Sequence, residues 1–208
     1  MKYKLVCFDM DGVIFQHQNF WKELHIEMGT WYEGKILNDR YLKTDYKKLV
    51  NIVVKGLWYK KSAVSYYRLV EKAKYNKNAY ELIDNLKEKG VKTIIITSGP
   101  YDLAERARKE LEIDFIEANR LIIENGIIKD MVWPIGNDNK IEFLKMICDR
   151  ENINLKEVIA IGDDQNDITL FKEVGFSIAF NSSDDDLKKS ASVVVASDNL
   201  LDLLKYVK

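Results

Sequence analysis

Four short stretches of this 208-residue chain carry side chains that could do chemistry together. Asp9-Met10-Asp11 sets two carboxylates two residues apart behind an apolar run, and Thr97-Ser98-Gly99 offers hydroxyls on a slim backbone. Lys140 supplies a cation at the start of a helical pattern, and Gly162-Asp163-Asp164-Gln165-Asn166-Asp167 crowds acids into a few positions. Crowded carboxylates repel one another unless a cation or a proton intervenes. Asp9, Asp11 and Asp163 suit a hard cation with oxygen ligands. Mg²⁺ fits, because it takes a few carboxylates and keeps waters for a phosphate-bearing substrate. Ser98, with backbone N–H groups near a helix start, can hold phosphate oxygens. Lys140 adds a fixed positive charge. The set describes phosphoryl transfer, where charge compensation and positioning carry most of the catalysis. Each stretch alone has an ordinary structural explanation: a turn, a helix cap and first turn, a solvated lysine. The acid cluster at 162–167 is harder to dismiss, because so many acids at a strand end cost stability without a cation.

The elements around these residues explain how they would meet. Residues 3–8 form a short apolar run stopped by Asp9, which reads as a buried strand, and 91–97 and 158–161 read the same way. Each of these runs is followed by one of the polar clusters, and ligands bind beyond the carboxyl ends of strands in open parallel sheets. Helical patterns cover 79–89, closed by Gly90, then 101–111 after Pro100, 141–150, 167–174 closed by Gly175, and 200–207. Further strands are expected at 114–118, 176–180 and 193–196. Segments 121–124 and 127–132 flank Asn125-Gly126, a tight-hairpin signal. Asp184-Asp185-Asp186 reads as a solvated loop.

This alternation predicts an α/β protein with a Rossmann-like, three-layer parallel sheet. Residues 16–77 differ in texture: no proline occurs there, and apolar groups recur at helical spacing, as in Phe20, Leu24 and Met28, or Leu49, Val50, Val53 and Val54. The expected division is an α/β core of 1–14 and 78–208, carrying a small α-helical cap over 15–77.

Composition narrows the functional classes. At 47% hydrophobic the chain can bury a full core, and 32 basic against 33 acidic residues give no electrostatic reason to expect nucleic acid or an anionic membrane as partner. The two cysteines, Cys7 and Cys148, lie at no zinc or disulfide-framework spacing and read as small core residues in a reducing compartment. The N-terminus meets carboxylates too soon for a signal peptide, and no apolar run is long enough for a membrane span. A cytoplasmic monomer or homodimer acting on a small phosphorylated metabolite is expected.

Phe8-Asp9-Met10-Asp11-Gly12-Val13 resembles the first motif of the haloacid dehalogenase superfamily, and Ser98, Lys140 and 162–167 resemble its second, third and fourth. Within the superfamily the chain is most similar to the phosphoserine phosphatase branch, through Asn139-Lys140 to Asp167, Leu170-Phe171-Lys172 and Ile178-Ala179-Phe180, and through the place of its helical insert. The resemblance implies a Mg²⁺-dependent phosphatase in which Asp9 is the nucleophile and forms an aspartyl-phosphate. It implies that Asp11 protonates the leaving alcohol and later activates water. It assigns Mg²⁺ to Asp9, the Asp11 backbone carbonyl and Asp163. The phosphoryl group falls to Ser98, the Gly99 N–H and Lys140, with Asp164, Asn166 and Asp167 in supporting positions.

That branch meets its substrate's amino group with an early acidic cap residue, whereas the matching position here is Gln18. A neutral amide cannot replace a carboxylate facing an ammonium group, so a small phosphomonoester other than phosphoserine is expected. His17, Gln18 and Trp31 are candidate cap contacts, while Trp21, Tyr32 and Trp58 suit either the pocket wall or packing between cap helices. His25 reads as an ordinary helix residue. Two other readings stay open: a phosphotransferase or mutase using the same intermediate, and a phospho-accepting receiver-like signalling module.

Overall fold

The computed structural model describes residues 2–136 and 138–208. Its centre is a seven-stranded sheet in the order β4-β3-β2-β1-β5-β6-β7. The strands are β1 (Leu5–Phe8), β2 (Lys92–Pro100), β3 (Phe115–Glu124), β4 (Ile127–Val132), β5 (Val158–Gly162), β6 (Phe176–Phe180) and β7 (Val193–Val195). All neighbours run parallel except β3 and β4, which form an antiparallel hairpin at one edge. The helices are α1 (Phe20–Glu27), α2 (Trp31–Tyr41), α3 (Tyr46–Ile52), α4 (Val64–Lys72), α5 (Ala79–Glu88), α6 (Tyr101–Leu111), α7 (Lys140–Glu151), α8 (Ile168–Glu173) and α9 (Asp185–Ser190).

The period of two in each strand divides the core into two layers. Val6, Phe8, Ile95, Ile159 and Ile161 pack on one face with Leu82, Leu86 and Leu103 of α5 and α6. Leu5, Cys7, Ile94, Ile96 and Ala160 pack on the other with Leu144, Ile147 and Leu170 of α7 and α8. Both faces of the central strands are thus covered, which is why their sequences are apolar throughout rather than alternating. The register sets Phe8 opposite Ile95 on one side and Ile161 on the other. Asp9, the end of β2 and the turn after β5 therefore emerge at one edge of the sheet.

Several elements differ from the sequence expectation. The runs 114–118 and 121–124 are one continuous strand, β3, whose pairing partner changes from β2 to β4 after Asn119, next to an irregularity in β2 between Ile96 and Pro100. The hairpin turn is as expected, with Asn125 and Gly126 both at positive φ. The acidic run at 184–186 starts a helix rather than a loop: the Asp184 carboxylate accepts the Leu187 N–H and caps α9. The last segment, Leu200–Tyr206, is a 3-10 helix. Gly175 follows α8 for a different reason from the one its position suggests. A Cβ there would lie 2.0 Å from the Lys156 carbonyl oxygen, so the glycine permits close backbone approach. Cys7 and Cys148 are buried, and burial pushes the Cys148 thiol up to about 11.

Helices α1 to α4 form the insert between β1 and α5, with a π-helical turn, Val53–Trp58, continuing α3. The chain enters and leaves the insert side by side: Gln16 N–H donates to Lys74 O, Asn76 N–H donates to Ile14 O, and the Asn76 amide reaches the carbonyls of Gly12, Val13 and Phe15. The insert also rests on the hairpin, through Lys60 N–H to Ile128 O, Ile128 N–H to Lys61 O and Ala63 N–H to Gly126 O.

Candidate active site

Three carboxylates and one ammonium group meet where β1 and β5 end. Lys140 is fully buried at the first position of α7, and its Nζ lies 3.0 Å from Asp9 Oδ2 and 2.7 Å from Asp167 Oδ1. One carboxylate oxygen each from Asp9, Asp163 and Asp167 falls within 4.8 Å of the others. Two glycines make this convergence possible. Gly12 adopts positive φ, and a Cβ on it would meet Asp163 Oδ2 at 2.1 Å; a Cβ on Gly162 would meet Asp167 Oδ2 at 2.2 Å.

The electrostatics of this group suit a bound cation. Three ionised carboxylates facing one ammonium leave two negative charges in a buried space. Burial, with Asp9 and Asp167 close by, pushes the Asp163 carboxyl up to about 9. Burial likewise raises Asp167 to about 7 against the pull of Lys140, and raises Asp9 against the same pull. Burial opposes the charge on Lys140, but Asp167 and Asp9 outweigh it, so its pKa is raised and it stays an ammonium group. Asp167 Oδ2 is buried without a hydrogen-bond partner. An orphaned carboxylate oxygen beside two more carboxylates is what a hard divalent ion would satisfy.

Asp11 stands apart from these three and is held by the insert. Its Oδ1 lies 2.9 Å from His17 Nε2, and its Oδ2 accepts the Phe20 N–H at 2.7 Å, at the first turn of α1. Burial works against a charged His17, but the hydrogen bond and charge of Asp11 outweigh it and raise the imidazole pKa. His17 therefore touches a core carboxylate, whereas Gln18 lines an open depression with Gly12, Asn76, Lys77 and Asn181.

The end of β2 forms the other wall. The Ser98 carbonyl accepts from Trp21 Nε1 at 2.8 Å and from Asn119 Nδ2 at 3.0 Å, and the Gly99 N–H donates to Thr97 Oγ1 at 2.9 Å. Gly99 also leaves room for Met10, whose methyl carbon would be 2.5 Å from an added Cβ. Asp164 is exposed, and its carboxylate accepts the Gln165 N–H. Asn166 Oδ1 is buried with no partner.

Between these core groups and the insert lies a cavity of about 140 Å³. Ser98, Asp164, Gln165 and Asn166 line it from the core, while Trp21, Trp58 and the apolar side of α3 line it from the insert. Trp31 is not among its lining residues; it packs near His25, and Tyr32 is largely exposed. His25 is itself a lining residue and is buried, with Nδ1 2.8 Å from Thr30 Oγ1 and its ring against Trp58.

Sequence reasoning placed Asp167 in a supporting position; its Oδ1 pairs with Lys140, and its carboxylate also lies close to those of Asp9 and Asp163. Its spacing of four residues from Asp163, across one tight helical turn, was the available signal. Asn119, which ties Ser98 to Ile135 through its amide, had none, because its partners are distant in the chain. No helix among the described residues is long and apolar enough to cross a membrane.

Comparison with known proteins agrees with this geometry. Residues 3–175 match the family of haloacid dehalogenase-like hydrolases. The chain is 30% identical over its whole length to phosphoserine phosphatase of Methanocaldococcus jannaschii, covering 99% of that protein. It is 29% identical over 99% of its length to the phosphoserine phosphatase of Archaeoglobus fulgidus, covering 60% of that protein. Among solved structures, a phospho-aspartyl intermediate analogue of phosphoserine phosphatase superposes over all of both chains with a TM-score of 0.88 at 27% identity. A substrate-bound phosphoserine phosphatase complex does so at 0.87 and 28%. With its acid cluster at the carboxyl edge of a parallel sheet and its motifs in matching order, the chain belongs to the haloacid dehalogenase-like hydrolases, and it is similar along its full length to their phosphoserine phosphatases.

Proposed function

We propose that this protein is a Mg²⁺-dependent phosphatase that hydrolyses a small phosphomonoester through a phosphorylated Asp9. The observation that carries this reading is the buried set of Asp9, Asp163 and Asp167 around Lys140, with Asp167 Oδ2 unsatisfied. Asp9, Asp163 and Asp167 would hold the ion through their carboxylates, joined by the Asp11 backbone carbonyl. Once bound, the ion offsets the charge of the carboxylates and of the phosphoryl oxygens.

Asp9 attacks phosphorus, the new bond forms to its carboxylate oxygen, and the bond to the alcohol oxygen breaks. Lys140 favours the ionised form of Asp9 against the effect of burial and fixes its direction, and its charge would face the phosphoryl group. Asp11 gives its proton to the departing alcohol, then takes one from the water that attacks phosphorus and frees Asp9. The contact with His17 holds the Asp11 carboxyl in place through both steps. Ser98 would hydrogen-bond the phosphoryl group through its hydroxyl. The Gly99 N–H would have to leave Thr97 Oγ1 to help.

The unit 15–77 acts as a cap, roofing the reacting groups and excluding bulk water. The neutral Gln18, and its place outside the cavity lining, favour a substrate other than phosphoserine. A panel of phosphate esters assayed for phosphate release with and without Mg²⁺, with and without alcohol acceptors, tests the proposal. Mg²⁺-dependent release is expected, with no phosphoryl transfer to the acceptors. Turnover that ignores Mg²⁺ would overturn it.

A further inference from the structure

The cavity beside Ser98 is lined by polar groups from the core and mainly by apolar groups from the cap. On the core side stand Ser98, Asp164, Gln165 and Asn166, next to the reacting carboxylates. On the cap side stand Leu49, Val50, Val53, Val54 and Trp58, joined by Met131 from the hairpin, and these six are nearly or fully buried; the uncharged polar side chains of Asn19, Asn38 and Tyr46 also line it from the cap. Of the described lining residues contributed by the cap, none carries a charge at neutral pH. The one titratable candidate near that range is His25, and burial drives its pKa down to about 4, so it stays neutral. Among the described lining residues the single charged group is Asp164, an exposed acid on the core side.

We propose, resting on the phosphatase reading above, that the alcohol half of the substrate is an uncharged apolar group, a ring or a branched chain about the size of benzene, seated among these cap residues. Three observations bear on this. First, charge: a carboxylate or ammonium group on the alcohol would enter the cap side with no counter-ion, and burying an unpaired charge is strongly unfavourable. A substrate carboxylate would also meet Asp164 as a like charge. Second, size: a dry apolar cavity of about 150 Å³ holds one benzene molecule, and this cavity measures about 140 Å³. Third, backbone: the wall at Val53, Val54 and Trp58 is a π-helical turn. Such turns widen a helix locally and occur often at ligand sites. Trp21 joins the two sides, because its ring lines the cavity while its Nε1 donates to the Ser98 carbonyl.

Two measurements test this apart from the chemistry. Binding of benzylphosphonate, which cannot be hydrolysed at a phosphate ester bond, is followed in the presence of Mg²⁺ by tryptophan fluorescence and calorimetry, against the phosphonate analogue of phosphoserine. Benzylphosphonate is expected to bind about tenfold or more tightly. Val54→Thr, which keeps the volume of the wall but adds a hydroxyl, is expected to weaken it about fivefold and leave the serine analogue unchanged. Equal or tighter binding of the serine analogue overturns the inference, as does a Val54→Thr protein that binds benzylphosphonate as wild type does. Turnover forms the second arm, with benzyl phosphate against O-phospho-L-serine and phosphoethanolamine. Benzyl alcohol is a poorer leaving group than serine, so a higher kcat/KM for benzyl phosphate can come only from the pocket. A preference for either amino compound overturns the inference. Benzylphosphonate that binds, with no ester releasing phosphate, leaves the pocket assignment supported and removes the phosphatase reading instead.

Discussion

Beneath the cavity, at the ends of β1 and β5, the molecule buries charge: Asp9 is 5% exposed, Lys140 and Asp167 are fully buried, and their ion pairs lie at 3.0 and 2.7 Å. Above it, the cap buries rings and branched chains, and the imidazole of His25 is kept neutral. The two regions place opposite demands on their surroundings. The charged floor must be held rigidly, because moving Lys140 away from Asp9 and Asp167 would leave their mutual repulsion uncompensated. It therefore sits on parallel strands packed on both faces, with glycines at positions 12 and 162 where the side chains crowd. The roof is tied to the core by its two chain crossings, the hairpin, the bonds of His17 and Phe20 to Asp11, the Trp21 bond, and the bonds of Tyr66 to Asp102 and of Arg106 to the Val70 and Ala73 carbonyls. On the proposed reading the chemistry belongs to the floor and the choice of alcohol to the roof.

Substitutions can break or sharpen this contrast. Asp11→Asn removes a proton donor and acceptor, and kcat is expected to fall by about 10²–10⁴ with folding intact by circular dichroism. Lys140→Met leaves Asp9 and Asp167 without their buried cation. Urea unfolding should show a loss of about 3–5 kcal/mol, partly recovered when Mg²⁺ is added. In the roof, lowering the pH should cost stability through His25. Its folded pKa is depressed to about 4, so between roughly pH 6.5 and 4 the unfolded chain takes up a proton that the folded chain resists. Stability falls as pH falls through that window, by roughly 2–3 kcal/mol. His25→Gln should flatten this part of the profile in thermal melts. The smallest effect is expected for Trp21→Phe, which loses one hydrogen bond to Ser98 O, worth about 1 kcal/mol. KM should rise about fivefold with kcat nearly unchanged. A fall in kcat as large as that for Asp11→Asn would break the contrast, because the roof would then be part of the chemistry.

The floor was legible in the sequence because its chemistry is local. Each cluster follows an apolar run, and strand register alone brings the runs level: Phe8 faces Ile95 and Ile161, so Asp9, Ser98 and Asp163 share an edge. What the sequence hid depends on distant partners. Nothing near Asn119 announces that its amide will tie β2 to Ile135, and nothing near Trp21 announces Ser98. Leu49, Val50, Val53 and Val54 stood out as apolar groups at helical spacing. Only the π-helical turn turns this doublet pattern into a cavity wall as well as a packing face. The acidic run at 184–186 was misread because its cap on α9 depends on one side-chain oxygen meeting the Leu187 N–H, a geometry that composition does not specify.

The account stands on Asp9 forming a covalent bond to phosphorus. Acid-quenching the protein during turnover of a phosphate ester, followed by peptide mass spectrometry, reads that bond directly. A phosphoryl group is expected on the N-terminal peptide at Asp9, only when Mg²⁺ is present, and Asp9→Asn should lose both the modified peptide and about 10⁴-fold or more of the rate. Phosphate release at an undiminished rate from Asp9→Asn, or a phosphoryl group found on another residue, would contradict it.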